Sequence, residues 1–355
     1  MKIVADENLA FTDYFFADLA EVETKSGRTL TQADLKHCDV LCVRSVTQVN
    51  QALLEHTPVG FVGSATIGTD HLDLNYLQQE KITWANAAGC NAQAVAEYVI
   101  AALLHVQPEL LHANSSFTLG IVGLGNVGRR LAKMAQLLGW QVIGYDPFVQ
   151  QDAITQVSWS ELCKQAHAIS LHVPLTHIGE YPTYHLFNAQ RLASLAPSTI
   201  LINSSRGAVI EEAALIADIL QTGRKVVLDV FEHEPRISEE LLELVYLVTP
   251  HIAGYSLEGK ARGTQMIYQA LCEYLAKSPS KDFRTQLPVG EDYFSQLPLK
   301  QALADHLSQI YDIRQDDANL RACLNHGFVD QLSFDALRKH YPLRREWAAH
   351  GGPTA

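Results

Sequence analysis

Short runs of aliphatic and β-branched residues alternate with stretches whose apolar positions recur every three to four residues. This rhythm, held to about residue 275, predicts stacked βαβ units built on parallel sheets. In the first block it predicts strands over residues 3–4, 39–43, 60–63 and 82–84, with helices between them. The pattern over 92–106, stopped near Pro108, predicts a long helix connecting two lobes. The second block predicts strands at 117–122, 141–145, 168–171, 199–203, 225–230 and 246–249, with helices such as 126–138 and 211–222. Six strands with helical crossovers make a doubly wound nucleotide-binding domain. A helix over 257–276 then returns the chain to the first lobe, and Ser278-Pro279-Ser280-Lys281-Asp282 reads as a linker. The remainder is a small mixed segment rich in Leu, His and Arg, with a disordered tail from His350. The expected boundaries are 1–92 with 257–280, then 93–256, then 281–355.

Composition narrows the class. With 355 residues the chain exceeds one ordinary core. Apolar residues at 47% and charged residues at 19% are those of a globular protein. No apolar run reaches the length of a membrane span, and the start, Met1-Lys2-Ile3-Val4-Ala5-Asp6-Glu7, lacks a signal-peptide core, so a cytoplasmic location is expected. A net charge of −12 disfavours nucleic acid. An anionic substrate must therefore be drawn by local arginines and backbone amides. The six cysteines form no CxxC pair, and Cys38 and Cys42 beside an apolar run read as buried thiols rather than metal ligands. No metal site is expected.

Gly123-Leu124-Gly125-Asn126-Val127-Gly128 matches GxGxxG directly after an apolar strand and directly before a helix. In that setting Gly123 permits the tight turn, Gly125 lets backbone approach a pyrophosphate, and Gly128 lets helix and strand pack closely. Asp146 ends the next strand 18 residues past Gly128. It suits the ribose hydroxyls and repels a 2′-phosphate, and no arginine follows it, so NAD is favoured over NADP.

Three further residues follow strands of the second block. Arg206 stands in Asn203-Ser204-Ser205-Arg206-Gly207, Glu234 in Phe231-Glu232-His233-Glu234-Pro235, and His251 in Thr249-Pro250-His251-Ile252-Ala253-Gly254. Oxidising a 2-hydroxy acid needs a cation for the carboxylate, a base for the hydroxyl proton and a group to hold that base. Arginine, histidine and a carboxylate suit those tasks in turn. Asp229 also lies at a strand end, placed to face a nicotinamide.

On GLGNVG, NSSRG, LDVFEHEP and TPHIAG, in that order, residues 1 to about 275 resemble the D-2-hydroxyacid dehydrogenase family. The resemblance implies an α/β fold of two Rossmann-like or flavodoxin-like parallel-sheet lobes, a substrate-binding one and an NAD-binding one. It implies Arg206, Glu234 and His251 as catalytic residues, with nucleotide contacts at Asn126, Val127, Asp146, Val173, Ser204, Ser205, Asp229 and Gly254. The run around Ala65-Thr66-Ile67, Ala88-Gly89-Cys90-Asn91-Ala92-Gln93, the long loop from Pro174 to His185 and the C-terminal segment around Lys339-His340-Tyr341-Pro342 point to one branch. That branch oxidises 4-phosphoerythronate in pyridoxal phosphate biosynthesis and carries a small C-terminal α+β dimerisation domain. Val173 departs from the threonine frequent there, so a side-chain hydrogen bond to cofactor is lost.

By the same resemblance Ser45, Thr66 and Tyr255 contact a phosphorylated 2-hydroxy acid, and the chain forms a homodimer. Arg44, in Val43-Arg44-Ser45-Val46-Thr47 of the first lobe, or the Arg344-Arg345 pair of a partner copy's C-terminal domain is expected to meet the substrate phosphate. Leu303, Leu307, Leu332, Phe334 and Leu337 are expected at the dimer interface. Two alternatives stay open at this point: a relative such as a 3-phosphoglycerate dehydrogenase, and a non-catalytic NAD(H)-sensing protein on the same fold.

Overall fold

A computed structural model describes residues 1–112, 116–149 and 153–354. The chain divides into two units, Met1–Asn91 with Ser256–Val289, and Ala92–Tyr255 with Gly290–Ala355.

The first unit holds five parallel strands: β1 (Lys2–Asp6), β2 (Glu21–Lys25), β3 (Val40–Val43), β4 (Phe61–Ser64) and β5 (Thr83–Asn86). Their order is β2-β1-β3-β4-β5, the flavodoxin-like arrangement. Strands β3 and β4 are buried throughout, as expected for parallel strands covered on both faces. Strand β2 escapes the sequence pattern because Glu-Val-Glu-Thr-Lys sits at an edge. Its Glu23 pairs instead with Lys2 at 2.7 Å and Lys25 at 2.8 Å. The helix Leu257–Tyr274 starts on Ser256, whose hydroxyl accepts from the Gly259 amide at 2.9 Å. Its Ile267, Tyr268 and Leu271 pack with Ile3, Phe15, Phe16 and Phe61 in one core.

In the second unit the strands are β6 (Thr118–Val122), β7 (Gln141–Tyr145), β8 (Thr155–Gln156), β9 (Ala168–Leu171), β10 (Ile200–Asn203), β11 (Val226–Leu228), β12 (Ile237–Ser238) and β13 (Leu247–Val248). Among the described residues seven form one parallel sheet in the order β13-β11-β10-β9-β6-β7-β8, one more than expected because β8 is a two-residue edge strand. The order reverses between β6 and β9, which is where such sheets bind nucleotides. The helix Ala92–Val106 is buried on nearly every face, and the helix Asn126–Leu137 packs against it.

The C-terminal segment builds no core of its own. Its helices are Leu299–Ile310, Ile313–Arg321 and Gln331–Lys339, and its hairpin, β14 (Leu324–Asn325) with β15 (Phe328–Val329), adds antiparallel to β12. Leu303, Ile310, Tyr311 and Trp347 join the core around Ala92–Val106, whereas Leu320, Val329 and Phe334 join the core on the other sheet face. Leu303 and Phe334, expected at a dimer interface, are therefore consumed inside the chain. Leu307 and Leu337 are half-buried against the same cores, and Leu332 is 83% exposed. The tail also differs from the disorder expected of it. The His350 carbonyl accepts from the Tyr293 amide at 3.0 Å, and the Gly352 amide donates to Trp347 at 2.8 Å. Ala355 lies outside the described residues.

Candidate active site

The glycine turn joins β6 to the helix Asn126–Leu137. Gly123 has φ 92°, and a Cβ there would lie 2.4 Å from the His172 carbonyl. A Cβ on Gly128 would lie 2.0 Å from the Gly123 carbonyl, whereas one on Gly125 meets nothing within 4 Å. The turn is thus closed on its inner side and open on its outer side. Gly125 caps the helix without a side-chain hydrogen bond, and Asn126 is exposed and Val127 half-buried in its first turn. Open helical amides of this kind attract a pyrophosphate.

Neighbouring strand ends complete this edge. Asp146, after β7, accepts from the Leu124 amide at 2.8 Å on one oxygen and from Phe148 and Val149 at 2.9 and 3.1 Å on the other. Val173, after β9, lies against the Gly123 turn. Ser204 and Ser205 follow β10. Ser205 donates to Asn203 at 2.8 Å, while the buried Ser204 hydroxyl has no protein partner among the described residues. An open cradle, an aimed carboxylate and an orphaned buried hydroxyl fit a dinucleotide.

Arg206, Glu234 and His251 follow β10, β11 and β13, which are adjacent in the sheet. His251 Nδ1 lies 2.7 Å from Glu234 Oε1, with the two side chains 35% and 21% exposed. Arg206 is half-buried and donates to the Ser205 carbonyl at 2.8 Å. Gly207 allows its loop to run against the backbone of Phe231 and Glu232. Glu232 belongs to a different pair, with His185 Nε2 at 2.5 Å and the Glu212 amide at 2.8 Å. His185 ends the long loop expected from the sequence, which Thr176 and Thr183 close on itself.

The electrostatics separate these groups. Burial alone would raise the Glu234 carboxyl, but His251 and the Arg338 guanidinium hold it below its ordinary value. Burial pushes His172, at the end of β9, down to about 3, so it stays neutral and offers no proton. Asp229 is 1% exposed and burial pushes its carboxyl up to about 6. Both its oxygens serve the loop that carries His251: Thr249 Oγ1 and the Ile252 amide donate to one at 2.6 and 2.8 Å, and the Ala253 amide to the other at 2.9 Å.

Tyr255 and Gly254 end that loop. The Tyr255 ring lies 5.9 Å from the Arg338 guanidinium carbon and 5.8 Å from the Tyr341 ring. Arg344, expected as a phosphate ligand, is instead buried beneath the loop. It donates to the carbonyls of Ile252 and Tyr255 at 3.1 Å each, to Ala94 at 3.2 Å and to Ala253. Nothing in the sequence marks that role, since its partners lie far upstream. On the first unit, Ser45 is exposed after β3, with the half-buried Arg44 before it. Thr66 follows β4, and its hydroxyl bonds Ser64 at 2.8 Å. Among the described residues no helix is long and apolar enough to cross a membrane.

The chain is similar to known proteins along its whole length. The family described as D-isomer specific 2-hydroxyacid dehydrogenase, NAD binding domain, matches residues 105–253, and one described only as a domain of unknown function matches 289–350. Erythronate-4-phosphate dehydrogenase of Acinetobacter baumannii is 66% identical over 355 residues, covering 100% of both chains. The protein of the same name from Psychrobacter arcticus is 47% identical, covering 98% of this chain and 99% of its own. Among solved structures, D-lactate dehydrogenase from Aquifex aeolicus, complexed with NAD and lactic acid, aligns with a TM-score of 0.63 at 23% identity. That alignment covers 78% of this chain and 96% of the other. An NAD-dependent formate dehydrogenase from Staphylococcus aureus, complexed with NAD, aligns with a TM-score of 0.62 at 21% identity, covering 80% and 98%.

Proposed function

The chain belongs to the erythronate-4-phosphate dehydrogenases of the D-2-hydroxyacid dehydrogenase family, and from that premise we propose that it oxidises 4-phospho-D-erythronate to 2-oxo-3-hydroxy-4-phosphobutanoate in pyridoxal 5′-phosphate biosynthesis. It is an NAD-dependent 2-hydroxyacid dehydrogenase. Bound NAD supplies the hydride acceptor.

The chain's own groups position the substrate and move the proton. Arg206 holds the carboxylate in bidentate fashion. His251 takes the C2 hydroxyl proton on Nε2, because Nδ1 is committed to Glu234. Glu234 fixes the ring and stabilises the imidazolium as it forms. The contacts at Gly123, Gly125, Asn126, Val127, Gly128, Asp146, Val173, Ser204, Ser205, Asp229 and Gly254 serve the cofactor, with Asp229 acting through the loop it holds. Ser45, Thr66 and Tyr255 contact substrate, and Arg44 becomes the first-lobe cation for its phosphate. The enzyme works in the cytoplasm as a homodimer, which light scattering tests; a monomer at assay concentration removes the dimer.

The 2.7 Å pairing of His251 with Glu234 at adjacent strand ends carries this reading. NADH formation tests it across 4-phosphoerythronate, erythronate, 3-phosphoglycerate and lactate. Remote phosphate binding helps align C2, so erythronate should lose orders of magnitude in kcat/KM. Equal efficiency with 3-phosphoglycerate or lactate overturns the substrate assignment.

A further inference from the structure

We propose that the C-terminal segment belongs to the proton-transfer apparatus, with Arg344 as the positioning residue that holds the 249–255 loop, and so His251, in place. The proposal rests on the reading of His251 as acid/base.

Residues 249–255 form no continuing strand, so their peptide groups need other partners. Donors and acceptors are satisfied from opposite signs of charge. Asp229 receives the Ile252 and Ala253 amides, while Arg344 donates to the Ile252, Ala253 and Tyr255 carbonyls. Arg344 is 8% exposed, its guanidinium carbon stands 4.4 Å from the Tyr311 ring centroid, and the Ala94 carbonyl ties it to the helix Ala92–Val106. A planar fork with five donors meets several carbonyls at once, which a lysine ammonium on a flexible stem cannot reproduce.

His251 needs such support. Its φ is 56°, a left-handed conformation that costs a non-glycine residue roughly 1–2 kcal/mol and persists only where surroundings impose it. The carbonyls held by Arg344 begin at the very next residue. Without the cation the Ile252 carbonyl keeps only the Tyr255 amide at 2.8 Å while those of Ala253 and Tyr255 lose their charged donor, and the loop relaxes to recover hydrogen bonds. A displacement of about 1 Å at His251 suffices for a rate loss near 10²-fold. This gives residues 289–350 a part in catalysis beyond packing.

The test is a double-mutant cycle on the full chain, pairing Arg344→Lys and Arg344→Gln with His251→Gln. NADH formation gives kcat and KM, quenching of protein fluorescence by NADH gives cofactor affinity, and thermal melts report folding. Arg344→Lys should lower kcat by about 10²-fold, far more than it weakens NADH binding through Gly254 on the same loop, and should cost nothing further beside His251→Gln. A kcat within twofold of the parent overturns the proposal. So does an equal fold loss in both backgrounds, the mark of a general structural defect. A His251→Gln enzyme of parental rate would instead sink the acid/base reading itself.

If neither Arg344 variant folds, native-state amide exchange of the parent protein decides. The 252–255 amides should open together with residues 341–352 as denaturant rises. Protection of the loop that outlasts opening of the C-terminal segment overturns the proposal.

Discussion

A Cβ built on Gly207 would stand 1.9 Å from both the carbonyl carbon and the carbonyl oxygen of Phe231. The loops after β10 and β11 therefore touch through backbone, one carrying Arg206 and the other Glu234. Gly207→Ala must push them apart. We expect a loss of about 2–3 kcal/mol in stability and at least ~10-fold in kcat. Thermal melts and NADH formation check both; an unaltered enzyme would show that the two loops are not held in register here.

The motif Phe231-Glu232-His233-Glu234-Pro235 contains two glutamates with different partners. His251→Ala should reduce kcat by about 10²- to 10⁴-fold, and Glu234→Gln by a substantial part of that. Glu232→Gln removes the charge and one of the two acceptor oxygens that serve His185 and the Glu212 amide, so kcat should stay within about threefold while stability falls by ~1 kcal/mol. Steady-state kinetics separate the two. A larger kcat loss at Glu232 than at Glu234 reverses the assignment.

Arg206→Ala should raise KM, because the carboxylate loses its clamp in the ground state, and lower kcat, because C2 is then less well aligned for hydride transfer. Arg206→Lys should recover only part of either, lacking the bidentate fork. A change confined to kcat would argue against a carboxylate clamp.

Asp229 gives stability a pH dependence of defined sign. Its carboxyl is raised from 3.8 to about 6 by burial, so between those values the folded protein holds a proton that the unfolded chain has released. Stability falls as pH rises through that window, by on the order of 3 kcal/mol in total. Asp229→Asn lacks this titration. Urea unfolding from pH 4 to 6.5 should show the parent losing stability relative to the variant as pH rises; a difference that stays flat excludes the shift.

Asp146 anchors the glycine turn through Leu124, and in the proposed function it also binds the ribose. Asp146→Ala should weaken NADH binding by roughly tenfold and reduce the preference for NAD over NADP. Fluorescence titration with both cofactors measures this. An enzyme that already uses NADP as well as NAD removes the premise.

The parallel strands were legible because burial on both faces writes them as aliphatic runs, as at Val40–Val43 and Ile200–Asn203. Edge strands β2 and β8 were not, since a strand with one neighbour need not be apolar. Arg206, Glu234 and His251 were picked out by their positions after strands, and the structure sets them at adjacent strand ends with the last two in contact. Their sequence alone does not say which glutamate of the motif reaches the histidine. Arg344 was misread because a buried arginine and a surface one are spelled alike. Its carbonyl partners lie 89 to 92 residues upstream in the histidine loop and 250 upstream at Ala94, which no local pattern records. Leu303 and Phe334 were placed at an interface for a similar reason: an apolar residue does not announce which surface it covers.

Each unit is assembled from two separated stretches, and the order in which a ribosome releases them is fixed. Residues 1–91 emerge long before the helix Leu257–Tyr274 that completes their core. The 249–255 loop emerges well ahead of the arginine beneath it. The second unit cannot be finished while the chain is still being made, and early exposure of both cores falls to the cell's folding helpers to manage. A nonsense codon anywhere between 290 and 343 would leave the glycine turn and all three strand-end residues translated, yet the histidine loop without its cation. Such a product would carry every signature motif and still lack the last piece of its own mould.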